Sequence, residues 1–276
     1  MAADIDIRYA THPDEMAGMD GQALRTRFLL EDLFVRGSAR LVLSHHDRLV
    51  VGGVLTAGHT VALRPPAELR AAEFCDRREI GIVCLAGPGT VGAGVDRYEM
   101  ATEDVLYLGA GTGPVAFSGS DAAFYLVSAV AHERHPAVLA RRDEVEAVQI
   151  GDLAHANVRT IRKYVHAGGI KSCQLAMGVT TLEPGSVWNT MPCHLHERRT
   201  EVYLYFGLPE AERVIHLCGR PGSTRSIIVA DRQAVISPLW SVHFGVGTSS
   251  YRFVWATGGE NLTYDDMDPV PTRDLC

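Results

Sequence analysis

Three side chains able to hold a divalent metal fall within eight residues: His194, His196 and Glu201. The histidines are two apart. On a β-strand that spacing puts both imidazoles on one face, because side chains alternate at every residue. Glu201 opens Glu201-Val-Tyr-Leu-Tyr-Phe206, an aromatic and β-branched run that predicts a second strand. The polar segment Glu197 to Thr200 predicts a turn, and a hairpin there returns the carboxylate to the imidazoles. Two imidazoles and a carboxylate suit a divalent transition metal, and a catalytic ion keeps one position for substrate or water. The competing reading is a pair of exposed strand histidines beside an unrelated surface Glu. Cys193 precedes His194, so alternation turns it to the opposite face, for packing rather than ligation.

A fourth ligand must come from farther along the chain. His243 lies in Ser237-Pro-Leu-Trp-Ser-Val-His-Phe-Gly-Val-Gly247, where Pro238 and Gly245 predict turns at a barrel rim. It follows Glu201 by about forty residues, room for two to four further strands. His216, inside the apolar run Val214 to Cys218, reads equally well as a core histidine, so spacing favours His243. His155 and His166 lie near the midpoint of the chain, and His132 and His135 lie in its first half.

The elements that must position these residues read as strands. Met16 to Phe34 has helical texture, with Leu24, Phe28, Leu29 and Leu33 on one face and Gly37 as the stop. From residue 41 onward, short apolar runs are separated by Gly, Pro and Asp: Leu41-Val-Leu-Ser, Leu49 to Leu55, Ile80 to Leu85, Asp104 to Leu108 and Ala123 to Ser128. A second block has Gln174 to Thr180, Glu201 to Phe206, Val214 to Cys218, Ile227 to Val229, Ala234 to Ile236 and Tyr251 to Trp255. This pattern predicts an all-β sandwich or barrel. His132 to Ala147 is the most polar stretch between the blocks, which places a boundary near residue 150 and domains at 1–150 and 151–276. The segment Leu108-Gly-Ala-Gly-Thr-Gly-Pro114 follows a strand, but Pro114-Val-Ala-Phe continues as strand. Without a helix N-terminus it is a turn and not a dinucleotide loop.

Composition bounds the rest. A chain of 276 residues, 46% hydrophobic and 21% charged, reads as a globular protein of one or two domains. No apolar run is long enough for a membrane helix, and the start, Met1 to Ala10, is too polar and acidic for a secretory signal. A net charge of −7 argues against nucleic acid and anionic membranes as partners. Six scattered cysteines without a C-x-x-C pair read as reduced thiols of a cytoplasmic protein, where the sequon Asn261-Leu-Thr263 carries no meaning.

The wording around the ligands is more specific than their spacing. Asn157-Val-Arg-Thr-Ile-Arg-Lys-Tyr164, Lys171-Ser-Cys-Gln-Leu-Ala-Met-Gly178, Gly185-Ser-Val-Trp-Asn-Thr-Met-Pro-Cys-His194, Gln233-Ala-Val-Ile-Ser-Pro238 and Gly245-Val-Gly-Thr248 are examples. With them the chain resembles the 4-deoxy-L-threo-5-hexosulose-uronate ketol-isomerase (5-keto-4-deoxyuronate isomerase) family of the cupin superfamily, over nearly its whole length. The resemblance implies two cupin-like β-barrels, to which the helical texture adds a few short helices near the N-terminus; the first block has no H-x-H and reads as a structural or oligomerising barrel without metal. The resemblance also implies one Zn²⁺ per chain on His194, His196, Glu201 and His243, and a homohexamer. Leu195, Glu197, Thr200, Gly207 and Ser226 depart from the family pattern. None is a ligand, and Ser226 is the departure that bears on substrate preference.

The implied reaction interconverts 5-dehydro-4-deoxy-D-glucuronate and 3-deoxy-D-glycero-2,5-hexodiulosonate in pectin and uronate breakdown. It moves a proton between neighbouring carbons through an enediol. Candidates for the proton carrier are Glu260, Asp265, Asp266, His166 and Tyr203. Arg162, Lys163, Arg198 and Arg199 are candidates for the substrate carboxylate, with Trp188 and Trp240 as pocket walls or core. The rivals are a cupin oxygenase, a metal isomerase of another small acid, and a non-catalytic sugar-binding bicupin.

Overall fold

The computed structural model describes residues 5–260 and 262–276; Asn261, and with it the sequon, lies outside them. The chain is built of strands, with two short helices near its start, Pro13–Ala17 and Gly21–Phe28. Contacts divide the described residues into two compact units: residues 5–8, 32–146 and 163–177, and residues 9–31, 147–162, 178–260 and 262–276. The chain passes from the first unit to the second at 146/147, while residues 9–31 group with the second unit and 163–177 with the first.

In the first unit a seven-stranded sheet runs in the order Ile5–Arg8, Ser38–Ser44, Val50–Leu55, Ala123–Val130, Arg78–Ala86, Val105–Leu108, Val138–Ala140. A four-stranded sheet runs Val61–Leu63, Val115–Ser118, Gly89–Ala93, Asp96–Met100. Alternate residues of both sheets, among them Ile80, Ile82, Leu106, Val115, Phe117 and Phe124, make one apolar core. Glu79 faces the other way. Its buried carboxylate accepts hydrogen bonds from the backbone N–H groups of Cys173, Gln174 and Leu175 and from the Tyr107 hydroxyl, all at 2.7–2.8 Å. These four donors replace the water it loses, which is how an ionised carboxylate is tolerated at 0% exposure.

The second barrel repeats the plan. Its seven-stranded sheet runs Ala147–Ile150, Arg159–Val165, Leu175–Leu182, Arg252–Gly259, Arg199–Phe206, Gln233–Ser237, Leu29–Leu30. Its four-stranded sheet runs Trp188–Asn189, Val242–Gly247, Val214–Arg220, Ser223–Val229. Tyr203, Tyr205, Val235, Phe253 and Trp255 from one sheet pack with Val214, Cys218, Ile227 and Val229 from the other.

The single helix expected over Met16–Phe34 is two helices followed by a strand. Gly18 caps the first, and the Asp20 side chain accepts the Ala23 N–H to start the second. Leu29 and Leu30 then pair with Val235 and Ala234, because strand partners within the barrel outweigh the helical texture. Replacing Glu79 by Gln puts an NH₂ group against backbone donors. We expect E79Q to lower unfolding stability in urea by about 3 kcal/mol, against about 1 kcal/mol for Y107F.

Candidate metal centre

The strand Arg199–Phe206 lies inside its sheet, between Arg252–Gly259 and Gln233–Ser237. Alternation turns Arg199, Glu201, Tyr203 and Tyr205 into the barrel. Opposite, Val214–Arg220 pairs with Val242–Gly247, matching Cys218 with His243 and His216 with Gly245, so His216 and His243 face inward at successive levels. The hairpin expected between the His194 and Glu201 strands does not form as such. His194–Leu195 pairs with Asp268–Pro269, and only Glu197-Arg198 turns before the next strand begins at Arg199. That tight turn still returns Glu201 to His196.

His194, His196, Glu201 and His243 each place one donor atom within 4.8 Å of the others. His196 and His243 are almost wholly buried, while His194 is partly exposed. His196 Nδ1 lies 2.9 Å from the Arg199 carbonyl and His243 Nδ1 lies 3.1 Å from that of Ser241. A carbonyl can only accept, so both Nδ1 atoms carry the proton, which leaves the Nε2 lone pairs free. These point at Glu201 Oε2, at 2.9 Å from His196 and 3.1 Å from His243. The His243 contact is close but not aligned as a hydrogen bond, so His243 Nε2 is left without a partner. Two lone pairs and a carboxylate oxygen converging in a buried space repel one another unless a cation lies between them. The donor set therefore fits a divalent metal.

The charges agree. Burial, then His243, pushes His194 down to about 3, so its imidazole is neutral and able to ligate.

His216 is not part of the set. Its Nδ1 bonds the Tyr205 hydroxyl at 2.8 Å, and it is fully buried below the ligands. Gly245 is not a rim turn but a strand residue, where a Cβ comes within 3.0 Å of Tyr205 Oη. Cys193 packs with Val242, Phe244 and Val270, away from the ligands. Trp188 lies over Phe244 in that cluster, with ring centroids 6.5 Å apart, and Trp240 packs on the barrel core.

Of the proton-carrier candidates, Tyr203 is brought to the ligands. Its ring is 5.5 Å from that of His243, and its hydroxyl bonds Thr190 Oγ1 at 3.0 Å. Burial, then Glu201, raises the phenol far above its ordinary value. Glu260 is an exposed partner of Arg198 at 3.1 Å, Asp266 pairs with Arg199 at 3.0 Å, Asp265 is a surface residue held by Thr263, and His166 belongs to the first unit. The arginine readings change for the same reason. Arg199 is 1% exposed, its charge met by Asp266 and its guanidinium stacked over Tyr264, so it pins the segment after residue 262 rather than facing solute. Arg162 lies on the strand face opposite Ile161, and Lys163 is exposed in the first unit. Ser226 is exposed on the outer face of its strand, away from the ligands.

Arg159 is the residue that sequence reasoning passed over. Ile161, two residues on, packs into the barrel core, so Arg159 faces the same interior. Burial lowers the guanidinium from its ordinary value, with Tyr203 and Tyr251 acting the other way, and Nη1 donates to the Asn157 carbonyl at 2.8 Å. Its other nitrogens have no hydrogen-bond partner among the described residues. The signal was its place two residues before an apolar strand residue.

Two barrels of this plan, with one His₃Glu donor set fit for a metal among the described residues, define a cupin-like protein of two barrels. The chain belongs to the KduI/IolB family, whose pattern matches residues 30–270. It is 50% identical to the 4-deoxy-L-threo-5-hexosulose-uronate ketol-isomerase of Kineococcus radiotolerans, across 98% of this chain and all of that one. Identity to the Shouchella clausii protein of the same name is 46%, over 98% and 100%. Among solved structures, an IolB-like protein of Salmonella typhimurium superposes with a TM-score of 0.68 at 16% identity, covering 80% of this chain and 87% of that one. An oxalate decarboxylase of Bacillus subtilis gives 0.58 at 14%, covering 83% and 74%. These two show the fold, which is all-β and cupin-like.

Burial holds His216 at about 3, far below the 6.5 of a free imidazole. The unfolded chain then binds a proton between those values that the folded chain refuses. The stability tied to the neutral ring is complete above pH 6.5 and is lost as pH falls toward 3. We expect the pH dependence of urea unfolding across pH 6–4 to be shallower in H216F than in wild type by up to about 1.4 kcal/mol per pH unit. Equal slopes would contradict this.

Proposed function

We propose that the protein is a metal-dependent ketol isomerase that converts 5-dehydro-4-deoxy-D-glucuronate to 3-deoxy-D-glycero-2,5-hexodiulosonate. The observation that carries this is a complete His194–His196–Glu201–His243 donor set in a chain 50% identical, end to end, to a protein named for that activity. The resident ion is proposed to be one Zn²⁺ per chain, which three neutral imidazoles and a carboxylate suit. When bound, it supplies Lewis-acid polarisation of the substrate carbonyl and charge for an enediolate oxygen. Partly exposed His194 marks the side from which substrate approaches.

The protein's own groups do the rest. Tyr203 keeps its proton on Oη because burial and Glu201 disfavour the phenolate, and it offers that proton toward developing negative charge. Thr190 Oγ1 orients it. Arg159 offers its unpartnered guanidinium nitrogens to the substrate carboxylate, which fixes the far end of the sugar acid. In the first barrel the strand equivalent to Arg199–Phe206 has Ile80 where Glu201 stands, counted from the matching register, and the strand equivalent to that of His243 turns Val115 and Phe117 inward. We propose that this barrel holds no metal. The homohexamer and cytoplasmic location rest on the family resemblance; six free cysteines suit the latter, and a mass six times the 30.0 kDa chain in light scattering tests the former.

The purified protein should isomerise 4-deoxy-5-ketouronate and carry about one zinc per chain by plasma mass spectrometry. Activity should vanish after EDTA, and in H196A. Zinc without turnover would leave the metal centre and refute the substrate. R159Q should raise KM for the uronate by about tenfold to a hundredfold with unchanged zinc content. An unchanged KM would remove Arg159 from substrate binding.

A further inference from the structure

Arg78 and Arg199 hold equivalent places. Each opens the fifth strand of its seven-stranded sheet, and each is paired with the last residue of the fourth strand, Val130 and Gly259 respectively. Each is buried. Arg199 has Asp266 at 3.0 Å. Arg78 has no carboxylate partner among the described residues. Its Nε donates to Ser128 Oγ at 3.0 Å, and Nη2 donates to the carbonyls of Ser128 and Arg48 at 2.8 and 2.7 Å, all neutral acceptors. The neighbouring carboxylate, Glu79, faces the other side of the sheet and is already satisfied by four donors. A guanidinium 7% exposed without a counter-ion is costly.

Arg78 borders a cavity of about 420 Å³, lined also by Leu43, His45, Arg48, Glu68 and Arg77. Nη2 of Arg77 donates to the carbonyls of Leu69 and Arg70, which holds that guanidinium at the rim. Three guanidinium groups thus face one carboxylate, Glu68. Burial and then Arg48 push Arg78 down to about 10, the direction that a bound anion would reverse.

We infer that this cavity in the first barrel is a second ligand site, built for the carboxylate or phosphate of a small sugar derivative that takes the place Asp266 takes beside Arg199. Nη1 of Arg78 and of Arg77, with the guanidinium of Arg48, suit a planar or tetrahedral oxyanion, and the volume admits a six-carbon acid.

Calorimetric titration of the full-length protein tests it. The H196A background disables the metal centre, so that anions held there are not counted. D-glucuronate, inorganic phosphate and the neutral methyl ester of glucuronate are the probes. The expected result is about one anion bound per chain, no binding of the ester, and at least about tenfold weaker binding in R48E/R77E. Those two exposed positions change the cavity charge without disturbing the core, and circular dichroism checks the fold. Glucuronate binding alone assigns the site to sugar acids, and phosphate binding alone to phosphorylated ligands. No binding of either anion at millimolar concentration, equal binding of the ester, or affinity untouched by charge reversal would overturn the site.

Discussion

The Glu201 carboxylate is the constraint around which the second barrel is organised. It is an anion buried inside an apolar sheet sandwich, and its nearest neighbours are two imidazoles whose protons are committed to backbone carbonyls. Such a group is stable only with positive charge brought to it, so a cation held there would draw on the same free energy as the folding of this region. The carbonyls of Arg199 and Ser241 matter as much as the ligands, because they set which nitrogen of each ring faces Glu201. Those carbonyls are fixed in turn by the ends of the strands that carry Glu201 and His243.

Below the ligands the barrel is polar and hydrogen-bonded, with Asn189 Oδ1 and His216 Nε2 left without a partner among the described residues. Asn189 Nδ2 donates to Tyr251 Oη at 2.9 Å, and Tyr205 Oη bonds His216. Aromatic rings fill the volume while their hydroxyls find partners, which gives a stiff floor to the site. Above it, Arg199 with Asp266 and Tyr264 fastens the last part of the chain, and His194–Leu195 pairs with Asp268–Pro269. The side of the site near His194 is thus shaped by residues some seventy positions away in sequence.

The two barrels show how one frame takes two chemistries. Strand order and register match, so the place of Ile80, which fills a core, is the place of Glu201, which needs a cation. The arginine two residues earlier is kept in both, with an internal carboxylate in one barrel and an open cavity in the other.

The sequence by itself determined the strands of both blocks, the H-x-H and Glu of the donor set and, through long stretches of matching residues, the family. These are local or repetitive signals: period-two alternation, ligand type and the wording of short segments. The tertiary structure alone decided which side chains meet. Arg199 read as a free cation, yet its charge is spent on Asp266 sixty-odd residues later. Glu260 and His166 read as proton carriers, yet one lies on the surface and the other in the first unit. Arg159 escaped notice because its inward direction follows from the packing of Ile161, not from its neighbours in sequence. Leu29 and Leu30 left their helix because distant Val235 and Ala234 offered a ladder. In each case the deciding energy is a contact between residues far apart in the chain, which no local pattern encodes.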